Sequence, residues 1–372
     1  MHPQEQFCQN VDCPARGQPG KGNITIHSKK AQRYRCTVCK RTFTTNQGTA
    51  LFGLKKNAEL FVLVITLLAY GCPIPAIVAA FELDVRTVRA WLEKAGQHCQ
   101  GVHGHFLGRQ ALDLGHVQAD EIKVKTQSGW VWMALAMMVS TRLWLGGAVS
   151  PKRNQALIEA LVAQIRGVTL CRPLLLAVDG LKSYVQAFQK AFRSPWHTGK
   201  LGRPKLVAWQ DIVIVQVVKR KAESVFSIER RIVQGDQAQV TQLLHVTQGG
   251  RVINTAFIER LNATFRQRLG VLVRRTRYLA RKPETLEAGM FLLGCVYNLC
   301  TFHKSLRLPL YLGERRRKWV PRTPALAVGW TDHRWSVLEL LSFKVPPARW
   351  QPPVKQGRPS KALLRLIQAW CP

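Results

Sequence analysis

Eight residues near the middle of the chain, PLLLAVDG at 173–180, narrow the fold more than any other stretch. The apolar run Leu174–Val178, closed by Asp-Gly, lacks the alternation of a half-exposed strand and is too short for a helix. Such a run suits a strand buried on both faces, as in parallel sheets covered by helices. Its surroundings fit that frame. HVQADEIKVKT (116–126) partly alternates like a strand, and VWMALAMMVST (131–141) and LWLGGAVS (143–150) read as the next two, forming hairpins with it. NQALIEALVAQIR (154–166) and KSYVQAFQKAF (182–192) have helical spacing, and DIVIVQVV (211–218) is a second buried strand. Strands first, then helix and strand in alternation, predict a mixed α/β sheet flanked by helices over 112–304.

The flanks differ in kind. Residues 1–50 are polar, turn-rich and cysteine-paired. Residues 55–98 read as three short helices. Residues 305–372 are rich in Pro, Trp and Arg, with weak periodicity. No internal repeat of 20–50 residues is present.

Charge bounds the partner. Of 372 residues, 55 are Lys or Arg and 21 Asp or Glu, a net charge of +34. Such a chain repels itself until a polyanion neutralises it, which points to nucleic acid. A membrane partner is not expected, for want of a polybasic cluster beside an amphipathic anchor. The longest uncharged stretch, Leu60–Phe81, is interrupted by Gly71, Pro73 and Pro75, which predict a break between two helices. The N-terminal residues lack the apolar core of a secretory signal, so a cytoplasmic location is expected.

Cys8 and Cys13 form one close pair, and Cys36 and Cys39 another. Two such pairs can supply four thiolates to a structural Zn²⁺, replacing a core that the segment is too small to build. His27, between the pairs, is expected at the surface. The remaining six cysteines are expected to be buried thiols.

In the helical segment, Asn57 is expected to cap the first helix and Gly71 to follow its end. DVRTVRAWLEKAG (84–96) is expected to be capped by Asp84 and closed by Gly96, with Val85, Val88, Trp91 and Leu92 as its apolar stripe. A short turn before it matches a helix-turn-helix, whose last helix enters the major groove. Arg86, Thr87 and Arg89 lie off the stripe and are the candidate DNA contacts. A small helical bundle or a dimerisation module is the alternative.

Between Asp236 and Glu284 the chain has one acidic residue, Glu259, in a tract rich in arginine. It falls on a predicted helix, INTAFIERLNATFRQRL (253–269), capped by Asn254 or Thr255. Glu259, Asn262, Ala263 and Arg266 share one face, and Ile258, Leu261 and Phe265 the adjoining apolar stripe. Asp120 lies in the first strand, and Asp179 ends the most apolar one. Two carboxylates from strands and one from a packed helix can hold a pair of Mg²⁺ (or Mn²⁺) ions, which suits phosphodiester chemistry. A lone acid among cations makes sense if a further cation sits on it; otherwise it is a helix-surface ion pair with Arg260 or Arg266. Glu121 should point away from Asp120 and is expected to be structural. Glu223, Glu229 and Asp236 are rival third carboxylates without that helix-face arrangement.

Three motifs together, ADE at 119–121, VDG at 178–180 and NTAFIERLNATFRQRL followed by VRRTRY, resemble a bacterial insertion-sequence transposase of the DDE class, nearest to the insertion-sequence-one family. YNLCTFHKSLR (297–307) is similar to a stretch found downstream in such enzymes, and the cysteine-plus-helical head fits as well. The resemblance covers residues 5–307. It implies an RNase H-like domain with Asp120, Asp179 and Glu259 as the metal-binding catalytic triad. Asn262, Arg266, Arg274 and Arg275 would support the site or touch DNA, and residues 219–250 would be an insertion. It further implies binding to terminal inverted repeats, Mg²⁺-dependent strand cleavage and strand transfer, and an active form that is at least a dimer. A DNA-binding regulator without catalysis is the rival. The basic tail and two Gly-Arg-Pro turns, at 202–204 and 357–359, add phosphate or minor-groove contacts or are ordinary loops. His303 is open between a role near the scissile phosphate and a helix cap.

Overall fold

The computed structural model describes the chain except residues 1, 198, 200, 201, 223, 224, 273–279, 281, 312–316, 354–356, 358 and 372, with backbone only at 221, 222, 225, 226, 311 and 317. Arg274, Arg275, Glu223, Arg358 and most of GERRRKW (313–319) therefore lie outside the described residues or side chains. The chain forms two compact units: residues 1–58 with 341–372, and residues 59–340.

The smaller unit holds a three-stranded antiparallel sheet of β1 (Ile24–Ser28), β2 (Arg33–Cys36) and β3 (Thr42–Thr44). Its core is small: Tyr34 stacks on Phe43 with ring centroids 5.7 Å apart, beside Ile24, Ala15 and three of the four N-terminal cysteines.

In the larger unit, α1 (Ala58–Ala69) and α2 (Ile74–Phe81) replace the long uncharged stretch with two short helices. Gly71, with φ +93°, follows the end of α1. Asp84 caps α3 (Val85–Leu107), its Oδ1 accepting from Arg86 N at 2.7 Å. The expected stop at Gly96 does not occur, and α3 runs 23 residues. Gly96 instead meets α8 (Pro283–Cys295), where a Cβ would lie 2.4 Å from the Ala288 carbonyl oxygen. The glycine serves helix contact there, and the favourable packing outweighs its poor helix propensity.

The mixed sheet has the order β11-β10-β7-β4-β5-β6. β4 (His116–Thr126), β5 (Gly129–Met138) and β6 (Trp144–Ser150) form an antiparallel meander. After α4 (Gln155–Val168), β7 (Leu174–Asp179) pairs parallel to β4, and five of its six residues are buried. After α5 (Lys182–Ala191) come the short hairpin of β8 (Arg193–Trp196) and β9 (Lys205–Ala208) and then β10 (Ile212–Ala222), parallel to β7. The polar stretch expected as an insertion forms the edge strand β11 (Val225–Gln234), antiparallel to β10, and α6 (Gln237–Val246).

Helices cover both faces of β7 and β10. Leu175, Ala177, Val213 and Val215 pack with Val240 and Leu244 of α6, while Ile212 and Ile214 face Phe188 of α5 across a small cleft. This double burial explains the unbroken apolar run. α7 (Ala256–Arg268) packs on β4 and β5 through Ile258, Leu261 and Phe265, the predicted stripe.

After α8 a single π-helical turn, Val296–Cys300, is fully buried. β12 (His303–Tyr311) and β13 (Arg317–Arg322) form a hairpin, followed by α9 (Pro324–Ala327) and α10 (Val337–Ser342). Part of the tail packs as its tryptophans suggest: Trp330 stacks on Phe106 at 5.4 Å. The last helix, α11 (Lys361–Trp370), belongs to the smaller unit, where Trp370 packs against the cysteine cluster. Among the described residues no helix is long and apolar enough to cross a membrane.

Candidate metal centres

The two cysteine pairs close on each other. Cys8 Sγ lies 3.6 Å from Cys39 Sγ and Cys13 Sγ 3.9 Å from Cys36 Sγ, and all four sulfurs fall within 4.8 Å of one another. β2 carries Cys36 at its end, and the turn that follows brings Cys39 back. Burial, with the charge of neighbouring thiols, pushes Cys8 well up and Cys13 up to about 12. Cys39 goes down to about 7: burial raises it, but the Arg41 backbone N–H and the Asn10 side chain prevail. Four convergent thiols, one favoured as thiolate, can bind a metal ion. His27, exposed on β1, takes no part.

The second centre forms where β4 and β7 part. Their pairing stops at Gln118↔Ala177, and the carboxylates lie just beyond. Such a crevice outside the carboxyl ends of parallel strands is the usual ligand position in open α/β sheets. Parallel register puts Gln118 and Ala177 on one face, so Asp120 and Asp179, each two residues on, share it. That face carries α7. Gln118 Oε1 accepts from Phe257 N at 3.1 Å and Ile258 N at 3.0 Å, capping α7 from the sheet. Thr255, the N-cap residue, makes no cap bond; its hydroxyl donates to Glu259 Oε1 at 2.6 Å. Of the expected caps, only Asn254 accepts a helix-start N–H, from Ala256 at 3.1 Å.

Asn262 is 1% exposed and donates to Asp120 Oδ2 at 2.8 Å, while its own Oδ1 is buried without a hydrogen-bond partner. Burial, then the charges of Glu121, Asp179 and Glu259, raise Asp120 to about 7. Asp179 accepts from Leu181 N at 2.9 Å and pairs with Arg153 at 3.1 Å. Glu259 pairs with Lys219 of β10. Partial burial raises Glu259, but the Lys219 and Thr255 hydrogen bonds prevail and hold it below the usual carboxylate range. The local alternatives, Arg260 and Arg266, are not its partners.

Glu121 qualifies the sequence reading. It turns toward α5, as strand alternation predicts, and accepts from the Tyr184 hydroxyl at 2.8 Å while pairing with Arg153. Yet Asp120, Glu121 and Asp179 each offer an oxygen within 4.8 Å of the others, because Asp179 sits at the open end of its strand. Glu259 is outside that close group, although its charge reaches Asp120. Oxygen ligands of this kind suit a hard divalent cation, and the crowding of acids calls for a positive partner. Sequence reasoning missed Gln118, Arg153, Tyr184 and Lys219. Arg153, just before α4, carried no local signal.

Elsewhere, Arg86 is exposed and Thr87 and Arg89 are half-buried in the first turns of α3; Arg266 is half-buried on α7. Of the rival acids, Glu229 pairs with Arg231 and Arg220, and Asp236 caps α6. His303 caps no helix: it opens β12, its ring 4.4 Å from that of Tyr297. No protein-family model and no curated protein matches the chain.

Proposed function

We propose that this chain is a transposase of the DDE class, with an RNase H-like catalytic domain, nearest to the insertion-sequence-one family. The observation that carries the reading is the meeting of Asp120 and Asp179 at the mouth between β4 and β7, under a helix whose Asn262 holds Asp120 and whose Glu259 adds its charge. Asp120, Asp179 and Glu259 would hold Mg²⁺ (or Mn²⁺), which supplies Lewis-acid stabilisation and an activated oxygen nucleophile. Asn262 fixes the rotamer of Asp120 and offers its free Oδ1 beside it. Arg153 and Tyr184 hold Glu121 in place behind the pair.

The reaction is in-line displacement at phosphorus. Water attacks the phosphodiester at each end of the element and releases a 3′-hydroxyl and a 5′-phosphate. That 3′-hydroxyl attacks a target phosphodiester, forming one new bond and releasing one target 3′-hydroxyl, with no added nucleotide. The four cysteines would hold Zn²⁺: a tetrahedron with Zn–S bonds of about 2.3 Å has edges of about 3.8 Å, and the two closest sulfur pairs stand at 3.6 and 3.9 Å. That module and α1–α3, through Arg86, Thr87 and Arg89, would recognise the terminal inverted repeats. Two ends must be held together, so the active form is at least a dimer, working on DNA in the cytoplasm.

One observation favours a DNA-binding regulator without catalysis: Arg153 and Lys219 already neutralise the acids internally. Labelled element ends incubated with Mg²⁺ separate the two. Cleavage by the unaltered protein and none by Asp179→Ala is expected. Equal binding with no cleavage by either variant rejects the enzyme and leaves the regulator.

A further inference from the structure

On another face of α7 lies a cavity of about 320 Å³. Four cations line it, Arg142, Arg260, Arg268 and Lys304, and among the described residues no carboxylate does. None of the four forms an ion pair among the described residues. Two of them are held from behind. Arg142, in the β5–β6 turn with φ +58°, donates to the Val139 carbonyl and lies 3.9 Å over the Phe257 ring. Arg268 donates to Thr301 Oγ1 at 3.3 Å and lies over Tyr70. His303, also in the lining, has a buried Nε2 with no hydrogen-bond partner.

Unpaired like charges around one hollow repel unless an anion joins them. Ring stacking and one hydrogen bond each, to a carbonyl for Arg142 and a hydroxyl for Arg268, fix two guanidinium groups in advance, so little side-chain entropy is lost on binding. A buried nitrogen without a partner is a further polar group that a ligand atom would satisfy. The ring faces of Phe257 and Phe302 are already covered by Arg142 and Arg334, which leaves the charge of the cavity, rather than base stacking, as its binding feature.

We infer that this cavity is a phosphate site for a nucleic-acid strand, seating one backbone phosphodiester among Arg142, Arg260, Arg268 and Lys304. The inference rests on the nucleic-acid reading above and extends it to a second place. Arg260 is one residue, about 100°, round α7 from Glu259. The acidic cluster and the cavity therefore adjoin neighbouring faces of the same helix. A strand seated here is registered relative to the acids by phosphate contact, without base readout.

The test uses the full chain and a short fluorescein-labelled duplex of random sequence, with affinity measured across a salt series. Arg260 and Lys304 are exposed, so Arg260→Ala with Lys304→Ala keeps the fold, which circular dichroism checks. Loss of one phosphate contact is expected to flatten the plot of log K against log salt by about 0.9. The matched control, Arg172→Ala with Arg251→Ala, removes two exposed cations away from the cavity and is expected to leave the slope nearly unchanged. A photo-cross-linking residue in place of Ser305, at the cavity, is expected to capture the strand. Equal flattening in both double variants, or none in the first with no capture at Ser305, overturns the inference while the nucleic-acid reading stands. If the double variant binds duplex normally but loses inorganic phosphate in calorimetry, the site takes free phosphate and the strand assignment is overturned. Failure of the unaltered protein to bind duplex overturns both.

Discussion

Arg153 does more than any other side chain to hold the acidic centre together. Glu121 is buried, its side chain 1% exposed, and Arg153 and the Tyr184 hydroxyl are its partners there. Removing one partner of a buried ion pair leaves an uncompensated charge, at about 3–5 kcal/mol, and the half-exposed guanidinium places Arg153→Ala near the lower end. Chemical denaturation should show that loss, and millimolar Mg²⁺ should recover part of it, since a metal ion would replace the lost positive charge. No recovery would separate the cluster from cation binding. Asn298 acts differently. Its amide donates to the Trp144 carbonyl and accepts from the Trp144 N–H, both at 2.9 Å, in a buried setting. Asn298→Ala orphans two backbone groups at about 1–3 kcal/mol each, so a loss of about 2–6 kcal/mol is expected, read as a lower unfolding midpoint. The Tyr-Asn stretch noted in the sequence therefore has a folding role at this residue.

At the scale of elements, α3 and α8 approach through Gly96 and Ala288. Gly96→Ala gains about 1 kcal/mol in helix propensity. Its Cβ would stand 2.4 Å from the Ala288 carbonyl oxygen, so the helices must move apart. Overpacking of this kind costs about 1–3 kcal/mol, and Gly96→Ala is expected to lower the melting temperature. The cysteine module makes a separate prediction. Its apolar core is a handful of residues around Tyr34 and Phe43, too few to fold a segment of this size unaided. Stripping metal with a chelator, or Cys36→Ser, should unfold residues 1–58 as followed by proteolysis, and leave the larger unit protected. Native protein free of metal and still protease-resistant would sink the Zn²⁺ assignment.

For the whole molecule, buried histidines set the acid limit. His116 is held down to about 3 and His103 to about 4, chiefly by burial. In the unfolded chain both titrate near 6.5. Between the two values the unfolded state binds more protons, so stability is full above about pH 6.5 and falls as pH drops toward the folded values. Each neutral histidine then accounts for about 2 kcal/mol between pH 6.5 and 5. The raised Asp120 works in the opposite sense, gaining stability as pH drops below about 7, so the check is differential. In denaturation between pH 7 and 5, His116→Gln should lose about 2 kcal/mol less stability than the unaltered protein, and an identical pH dependence of the two would refute the assignment.

The positions of β4–β7, β10, α4, α5 and α7, the apolar stripe of α7, the break at Gly71 and the Asp84 cap were legible because each depends on residues close in sequence. Gly96 was misread as a helix end, since its reason is Ala288 on a distant helix. The cap of α7 was sought at Asn254 and Thr255 and is shared with Gln118, which no local rule could supply. Likewise, the sequence offered the four cysteines as candidate metal ligands through their spacing, and Asp120, Asp179 and Glu259 chiefly through the resemblance. Which of them meet, and which cations meet them, was decided by tertiary structure. Periodicity and residue type are local properties that a sequence carries directly. The crowding of Glu121 with Asp120 and Asp179, the reach of Arg153 and Lys219, and the hollow of unpaired arginines behind α7 follow from where strands part and helices cross. Electrostatic energy depends on those through-space separations, whatever the distance along the chain.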